Sequence, residues 1–215
     1  MTRREGVDVI DFDRIADAAV ERQPFSYFMV PRILGAESLD AVRTDFPAIT
    51  QPGVFPLKEL TYGEAFARLI EDIKSRRLEE ILEEKFDVEL SDKPLMITVR
   101  GHCARRDGRI HTDSTDKIVT CLLYLNDTWG EGGGRLRLLR NGHDIDDVIA
   151  EVPPDGGTLV AFKRADNSWH GHLPFEGPRR YVMFNWVRSE AVLMKNLGRH
   201  TLSARLKRLN PFAAG

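Results

Sequence analysis

The pattern of apolar and turn-forming residues changes at Lys93, and this change limits the folds that the chain can adopt. From there to Val187, short β-type runs are separated by glycine, proline and aspartate, with no segment of helical period between them. Several short strands at this spacing are typical of an antiparallel sandwich or jelly roll. We therefore predict a mainly β core, with strands at 95–100, 117–125, 135–139, 158–162 and 180–187.

Apolar residues recur at helical spacing in three regions of the first ninety residues. The second region ends before Pro47, and the third begins with Thr61 and Glu64, which fit a capping box. The apolar stripe of the third region changes phase after Ser75, which predicts a kink or a second helix there. We expect these helices to cover one sheet of the β core.

The chain is predicted to form a single domain with three parts. Residues 1–92 are a helical buttress region, residues 93–188 the β core, and residues 189–215 a basic tail. The tail has one acidic residue, Glu190, and we expect a short amphipathic helix or a partly mobile segment in it. Its basic residues include Lys195, Arg199, Arg205, Lys207 and Arg208.

Composition excludes several classes of protein. Of the 215 residues, 31 are Lys or Arg and 33 are Asp or Glu, so no strong field favours nucleic acid or a membrane surface. No apolar run approaches the roughly 18 residues of a membrane span, and no apolar core of a signal peptide follows the charged start. The two cysteines, Cys103 and Cys121, cannot build a disulfide framework. We expect a cytoplasmic protein and leave its oligomeric state open.

Three residues carry metal-ligand chemistry at a suggestive spacing. His111 and Asp113 are two positions apart, so on an extended strand both side chains point to one face. His170 is the next histidine in a predicted β context. Two histidines and one carboxylate form the facial triad of non-haem Fe(II) oxygenases, which leaves coordination positions open. The same ligand types also serve zinc hydrolases, so the residues alone do not choose the metal.

An arginine near His170 is a candidate for binding an anion. Alternation along the last predicted strand puts Arg180 on one face with Val182, Phe184 and Trp186, which we interpret as the barrel interior. A buried guanidinium needs an anionic partner, and its planar fork suits a carboxylate. The neighbouring arginine at 179 competes for this role, and Tyr124 could add a hydroxyl donor to the same anion.

A series of motifs follows one fixed order between about Leu95 and Val187. The motifs are His111-x-Asp113, Tyr124-Leu125-Asn126, Trp129, Gly133-Gly134-x-Leu136, Pro154-x-Gly156, Leu159-Val160-x-Phe162, His170 and Arg180-Tyr181. In this order they resemble one family, the 2-oxoglutarate- and Fe(II)-dependent dioxygenases of the prolyl 4-hydroxylase type.

This resemblance implies a double-stranded β-helix with iron at one open end. It implies that His111, Asp113 and His170 bind Fe(II), and that Arg180, assisted by Tyr124, binds the distal carboxylate of 2-oxoglutarate. The implied reaction hydroxylates a peptidyl residue or a small molecule and releases succinate and carbon dioxide. Ascorbate is a further candidate cofactor, and no nucleic acid or membrane partner is expected.

Two other functions stay open at this point. A β-barrel binding module would need neither iron nor 2-oxoglutarate, and a metal-dependent hydrolase could use the same three ligands with a general base beside them. The roles of four residues are also open: Arg100, His102, His172 and Trp129 could each touch substrate or serve packing alone.

Overall fold

The computed structural model describes residues 8–130 and 132–198. A 3-10 turn, Leu57–Glu59, separates the second and third helices, and residues 190–198 form a further helical segment after the last strand. The helices of the N-terminal region are α1 (Phe12–Asp17), α2 (Ala36–Thr44), α3 (Glu64–Ile73) and α4 (Arg76–Phe86).

The strands form two antiparallel sheets in the described part of the chain. The strands are β1 (Tyr27–Val30), β2 (Phe55–Pro56), β3 (Leu95–Cys103), β4 (Lys117–Tyr124), β5 (Leu136–Leu139), β6 (Val148–Val152), β7 (Leu159–Lys163), β8 (His170–Gly171) and β9 (Gly177–Val187). The larger sheet has the order β1-β7-β4-β9-β3-β2, and the smaller has the order β6-β5-β8.

The mainly β fold and all five predicted strands are confirmed, with ends shifted by a few residues. Four strands were not predicted, and two of them, β1 and β2, lie in the region that we expected to be helical. Both are short, and each pairs with a strand of the core, β1 with β7 and β2 with β3. Their position therefore depends on partners that are distant in sequence.

The larger sheet is buried on both faces. Its outer face carries Cys121 and Leu123 of β4, which pack with α1, α3 and α4 in one hydrophobic cluster. Its inner face carries Leu122 and Tyr124, which pack with residues of the smaller sheet in a second cluster. The predicted cover of helices over one sheet is thus confirmed, and the barrel interior lies on the opposite face.

Helix α3 begins differently from the sequence prediction. Gly63 is its N-cap residue and offers no side chain, while Thr61 is exposed and lies outside the helix. The first-turn amide of Ala65 instead donates to the Oδ2 atom of Asp45, 20 residues earlier, at 2.7 Å. The predicted break at Ser75 is confirmed, because its hydroxyl accepts a hydrogen bond from the Leu78 amide and caps α4.

The C-terminal tail is described only as far as residue 198. Lys195 lies in the helical segment 190–198. The predictions for Arg199, Arg205, Lys207 and Arg208 lie outside the described residues, and the boundaries that divide the chain at 92 and 188 stay a prediction.

Replacing Asp45 by Ala should destabilise the fold by about 1 kcal/mol, since an orphan amide at the start of α3 loses its cap. Thr61→Ala is the matched control and should change the free energy of unfolding by less than about 0.5 kcal/mol. Urea unfolding followed by circular dichroism measures both. A larger loss for Thr61→Ala would show that the capping box operates in solution.

Candidate metal centre and the cavity around it

The backbone brings the two histidines together. His111 lies between β3 and β4 and forms an isolated antiparallel bridge with His170 of β8. The His111 amide donates to the His170 carbonyl at 3.0 Å, and the reverse hydrogen bond is 2.9 Å. The ring centroids lie 4.3 Å apart, and Asp113 completes a group whose candidate ligand atoms all lie within 4.8 Å of one another. The predicted triad therefore converges in space.

Backbone carbonyls hold both imidazole rings. The Nδ1 atom of His111 lies 2.8 Å from the Arg109 carbonyl oxygen, and that of His170 lies 3.0 Å from the Ser168 carbonyl oxygen. A proton on each Nδ1 donates to these carbonyls and leaves each Nε2 lone pair for a ligand. Burial lowers the pKa of His170 to about 4, so its ring is neutral at pH 7. Neutral imidazole is the form that binds metal.

Asp113 is a buried carboxylate with two donors. Its Oδ1 accepts from the Lys117 ammonium at 2.7 Å, and its Oδ2 accepts from the Thr120 hydroxyl at 2.5 Å. Burial acts to raise the pKa of Asp113, but the charge of Lys117, the imidazole of His170 and these hydrogen bonds outweigh it and lower the pKa to about 2. The group is therefore ionised at neutral pH, and the set of two nitrogens and one carboxylate fits a divalent transition metal.

A second buried residue fixes the direction of the Thr120 hydrogen bond. Its hydroxyl oxygen also lies 2.8 Å from the Oδ1 atom of Asn185 on β9, while the Nδ2 group of that amide is buried without a hydrogen-bond partner. One hydroxyl proton cannot serve two acceptors. A rotation of the Asn185 amide exchanges Oδ1 and Nδ2, so that Thr120 donates to Asp113 and accepts from Nδ2, and every group is then satisfied. The series of side-chain hydrogen bonds from Asn185 through Thr120 thus orients the Asp113 carboxylate.

The triad opens onto a cavity of about 210 Å³ inside the barrel. Its charged lining includes Arg100, Lys117 and Arg179, together with the carboxylates of Asp107 and Asp113. His172 and Tyr181 also line it, and burial lowers the pKa of His172 to about 4, so it adds no charge at pH 7.

Arg179 is the arginine that faces this cavity, and the prediction that Arg180 does so is wrong. Arg179 is 2% exposed, its Nε donates to the Gly134 carbonyl at 2.7 Å, and its Nη2 donates to the Tyr124 hydroxyl at 3.1 Å. The side chain of Arg180 is exposed, with its Cζ atom 5.6 Å from the ring centroid of Phe46.

The error has a physical cause. Val182, Phe184 and Trp186 do share a face of β9 with Arg180, but this apolar face packs against the helices rather than lining the barrel. Both faces of β9 are buried, so apolar character could not distinguish interior from exterior. The barrel face carries the more polar set, which includes Arg179.

The four residues of open role separate into two pairs. Arg100 and His172 line the cavity, whereas His102 and Trp129 are absent from its described lining. The Trp129 ring packs on Phe175 with centroids 4.8 Å apart, and its indole nitrogen donates to the Gly133 carbonyl at 3.0 Å. Packing therefore accounts for Trp129.

Comparison with known proteins finds a family that the segment holding this site resembles. Residues 100–188 match the family model of the 2OG-Fe(II) oxygenase superfamily. This segment resembles a 2OG-Fe(II) oxygenase core. The resemblance and the enzyme class expected from the sequence are thereby confirmed, while no curated protein matches the chain.

Solved structures share the fold at low sequence identity. A prolyl-4-hydroxylase from Pseudomonas putida has 17% identity and a TM-score of 0.53, and the match covers 88% of this chain and 99% of that one. HygX from Streptomyces hygroscopicus, with nickel and 2-oxoglutarate bound, has 14% identity and a TM-score of 0.52, over 76% and 82% of the two chains.

A third similar structure is a prolyl hydroxylase from Trichoplax adhaerens in complex with a peptide fragment of the hypoxia inducible factor. It has 14% identity and a TM-score of 0.52, over 84% of this chain and 90% of that chain. The predicted double-stranded β-helix is confirmed by these neighbours. No helix in the described residues of the protein is long and apolar enough to cross a membrane.

Lys117→Met should destabilise the metal-free protein by about 3 kcal/mol, because it leaves the Asp113 carboxylate buried without its counter-charge. The double variant Lys117→Met/Asp113→Leu should recover most of this loss. Lys93→Met is the matched control, since its partner Asp92 is 71% exposed and such pairs contribute about 0–1 kcal/mol. Urea unfolding in the presence of a chelator measures all three, and equal effects at Lys117 and Lys93 would contradict the prediction.

Proposed function

We propose that this oxygenase uses His111, Asp113 and His170 to hold Fe(II) and uses Arg179 to hold 2-oxoglutarate, in order to hydroxylate a peptidyl residue or a small molecule. The observation that carries the proposal is the shared cavity. The converging His/Asp/His group lines this cavity, and so does the buried Arg179. No carboxylate of the described residues lies within ion-pair distance of Arg179.

The buried, charged side chain of Arg179 is the feature of the cavity that favours an anionic ligand. A buried guanidinium without a counter-charge is costly, and the hydrogen bonds to Gly134 and Tyr124 supply dipoles but no charge. The distal carboxylate of 2-oxoglutarate would supply that charge in a geometry that suits the planar fork. The role that the resemblance assigned to Arg180 therefore passes to Arg179.

Tyr124 is proposed to assist as a neutral hydroxyl. Burial raises its pKa to about 12, so the phenol keeps its proton at neutral pH. Its oxygen accepts from Arg179 and fixes the direction of the guanidinium, and its own proton has no described acceptor. That proton is available to the same carboxylate.

The positions of these residues indicate what the metal and the protein would each contribute to the reaction. When bound, Fe(II) supplies the oxygen chemistry that couples conversion of 2-oxoglutarate into succinate and carbon dioxide to hydroxylation of a substrate. The chain supplies orientation: carbonyl groups aim the two imidazoles, Thr120 and Lys117 hold Asp113, and Arg179 sets the far end of the co-substrate.

A hydrolase on the same three ligands has less support. A metal-bound water would need a general base, and among the described lining residues Asp107 is the sole carboxylate besides Asp113. Asp107 is committed elsewhere, because its Oδ2 pairs with Arg100 and accepts from the Ala104 amide at 3.0 Å. A binding module without a metal would not explain why the two imidazoles and the ionised Asp113 converge.

Several expectations accompany the proposal. The Trichoplax structure holds a peptide, which supports a peptide as one candidate substrate of this chain, and small molecules are the second kind of substrate to be offered. Ascorbate as a reductant, a cytoplasmic location and the absence of a nucleic-acid partner stay predictions. The two free cysteines are both buried, which agrees with a reducing compartment.

His111→Ala and His170→Ala should abolish iron-dependent succinate formation and weaken Fe(II) binding, because each removes one of three protein ligands. His143→Ala, at an exposed position, is the control and should keep wild-type values. Anaerobic Fe(II) titration and succinate detection measure the two effects. Wild-type iron affinity and succinate yield in both site variants would refute the proposed centre.

Arg179→Gln should weaken 2-oxoglutarate binding by roughly thirty-fold to several-thousand-fold, which corresponds to about 2–5 kcal/mol for a buried carboxylate left unpaired. Arg180→Gln is the matched control one residue away and should change the dissociation constant only a few-fold. Calorimetry of the Mn(II)-loaded protein without oxygen decides between them. A larger loss at Arg180 would mean that the assigned faces of β9 are reversed.

A further inference from the structure

A second arginine, Arg100, lines the same cavity from the neighbouring strand. It lies on β3 directly opposite Tyr181 of β9, two positions beyond Arg179. The Cζ atom of Arg100 lies 5.8 Å from the ring centroid of Tyr181, and that of Arg179 lies 5.1 Å from the same centroid. One aromatic ring therefore contacts two guanidinium groups, and both arginines line the cavity.

The hydrogen bonds of Arg100 leave one edge of its guanidinium unused. The Nη1 atom pairs with Asp107 and lies 3.6 Å from the Cys103 sulfur. The Nε atom is buried with no hydrogen-bond partner in the described chain, and Nη2 has no hydrogen bond to a described residue either. Nε and Nη2 together form the side-on edge of the fork, which is an edge that binds a carboxylate through two parallel hydrogen bonds.

The charges of the described cavity lining also leave room for an anion. Three cationic residues, Arg100, Lys117 and Arg179, face two carboxylates, Asp107 and Asp113, which leaves one positive charge in excess. In the proposed function Fe(II) brings two positive charges and 2-oxoglutarate brings two negative charges, so their binding does not change this excess. A buried positive charge of this kind favours an anionic group on whatever else enters the cavity.

We propose that the side-on edge of Arg100 is a second carboxylate-binding subsite of this cavity, separate from the subsite at Arg179. The inference rests on the proposed function and adds to it the chemistry of a further ligand group. Two carboxylates could reach this edge: the one beside the keto group of 2-oxoglutarate, or one carried by the substrate.

Two variants and a control test the subsite. Arg100→Gln removes the fork, and Arg100→Lys keeps a cation beside Asp107 while removing the planar edge, so a loss in both cannot be ascribed to an unpaired Asp107. Arg106→Gln removes an exposed arginine of the adjacent loop and controls for net charge. All are studied as full chains loaded with Mn(II) in the absence of oxygen.

The first arm tests the co-substrate as the source of the carboxylate. The probes are 2-oxoglutarate and 2-oxobutyrate, which keeps the carboxylate beside the keto group and lacks the distal one. If this carboxylate occupies the subsite, both Arg100 variants should weaken the binding of both probes at least ten-fold. Arg179→Gln should weaken 2-oxoglutarate alone. Calorimetry gives each dissociation constant.

The second arm tests the substrate as the source. The protein is saturated with Mn(II) and 2-oxoglutarate and titrated with acetate or with its neutral isostere acetamide, and paramagnetic broadening of the methyl proton signal reports binding. A substrate subsite predicts that wild type prefers acetate at least ten-fold and that both Arg100 variants lose this preference. In that case the Arg100 variants bind 2-oxoglutarate within two-fold of wild type.

The inference is overturned if both Arg100 variants match wild type and Arg106→Gln within two-fold in every titration. That result, in a protein that still binds Mn(II) and 2-oxoglutarate, leaves the proposed function standing. A wild-type protein that binds neither Mn(II) nor 2-oxoglutarate instead refutes the proposed function, and the Arg100 subsite is refuted with it.

Discussion

The larger sheet is buried on both faces, and the rest of the structure depends on this constraint. Strand β4 shows it: Cys121 and Leu123 pack under the helices, whereas Leu122 and Tyr124 face the barrel. The helices provide the apolar cover that a sheet of this size needs on one side. Because that side supplies a large core, the opposite face can carry polar and charged groups around a cavity without loss of the fold.

The charged groups of the cavity differ in how they are compensated. Asp113 is satisfied by Lys117 and by the Thr120 hydroxyl, and Asp107 is satisfied by Arg100 and a backbone amide. Arg179 has only neutral partners among the described residues. Three residues that could hold a metal are thus combined with positive charge that is not fully neutralised, and an anionic ligand would lower the electrostatic cost of this arrangement.

Rigidity at the metal centre comes mainly from the backbone. The paired hydrogen bonds between His111 and His170 join the two ends of the ligand set, and carbonyl oxygens two residues upstream of each histidine orient its ring. The series of side-chain hydrogen bonds from Asn185 through Thr120 orients the Asp113 carboxylate. Each ligand is therefore held by atoms whose own positions are fixed by the sheets, which limits the reorganisation needed when a metal binds.

The sequence by itself determined the five predicted strands of the β core and the residue types of the candidate metal site. Turn residues and short apolar runs located β3, β4, β5, β7 and β9, and the break at Ser75 followed from a change of apolar phase. The motif order predicted His111, Asp113 and His170 as one group. The spacing of His111 and Asp113 is a local property, whereas His170 lies far along the chain and was assigned from the order of the motifs. The sequence pattern did not predict short strands such as β1 and β2, because their pairing partners are far away in the chain.

Only the tertiary structure decided which face of β9 is the interior. Alternation separates Arg179 from Arg180, but the pattern does not say which set faces the cavity when helices bury the other one. The same holds for the cap of α3, which comes from the distant Asp45, and for the free edge of Arg100, whose partners are set by the loop that carries Asp107. Burial and hydrogen-bond partners are relations between segments, and a linear pattern records them only when one face of an element remains in water.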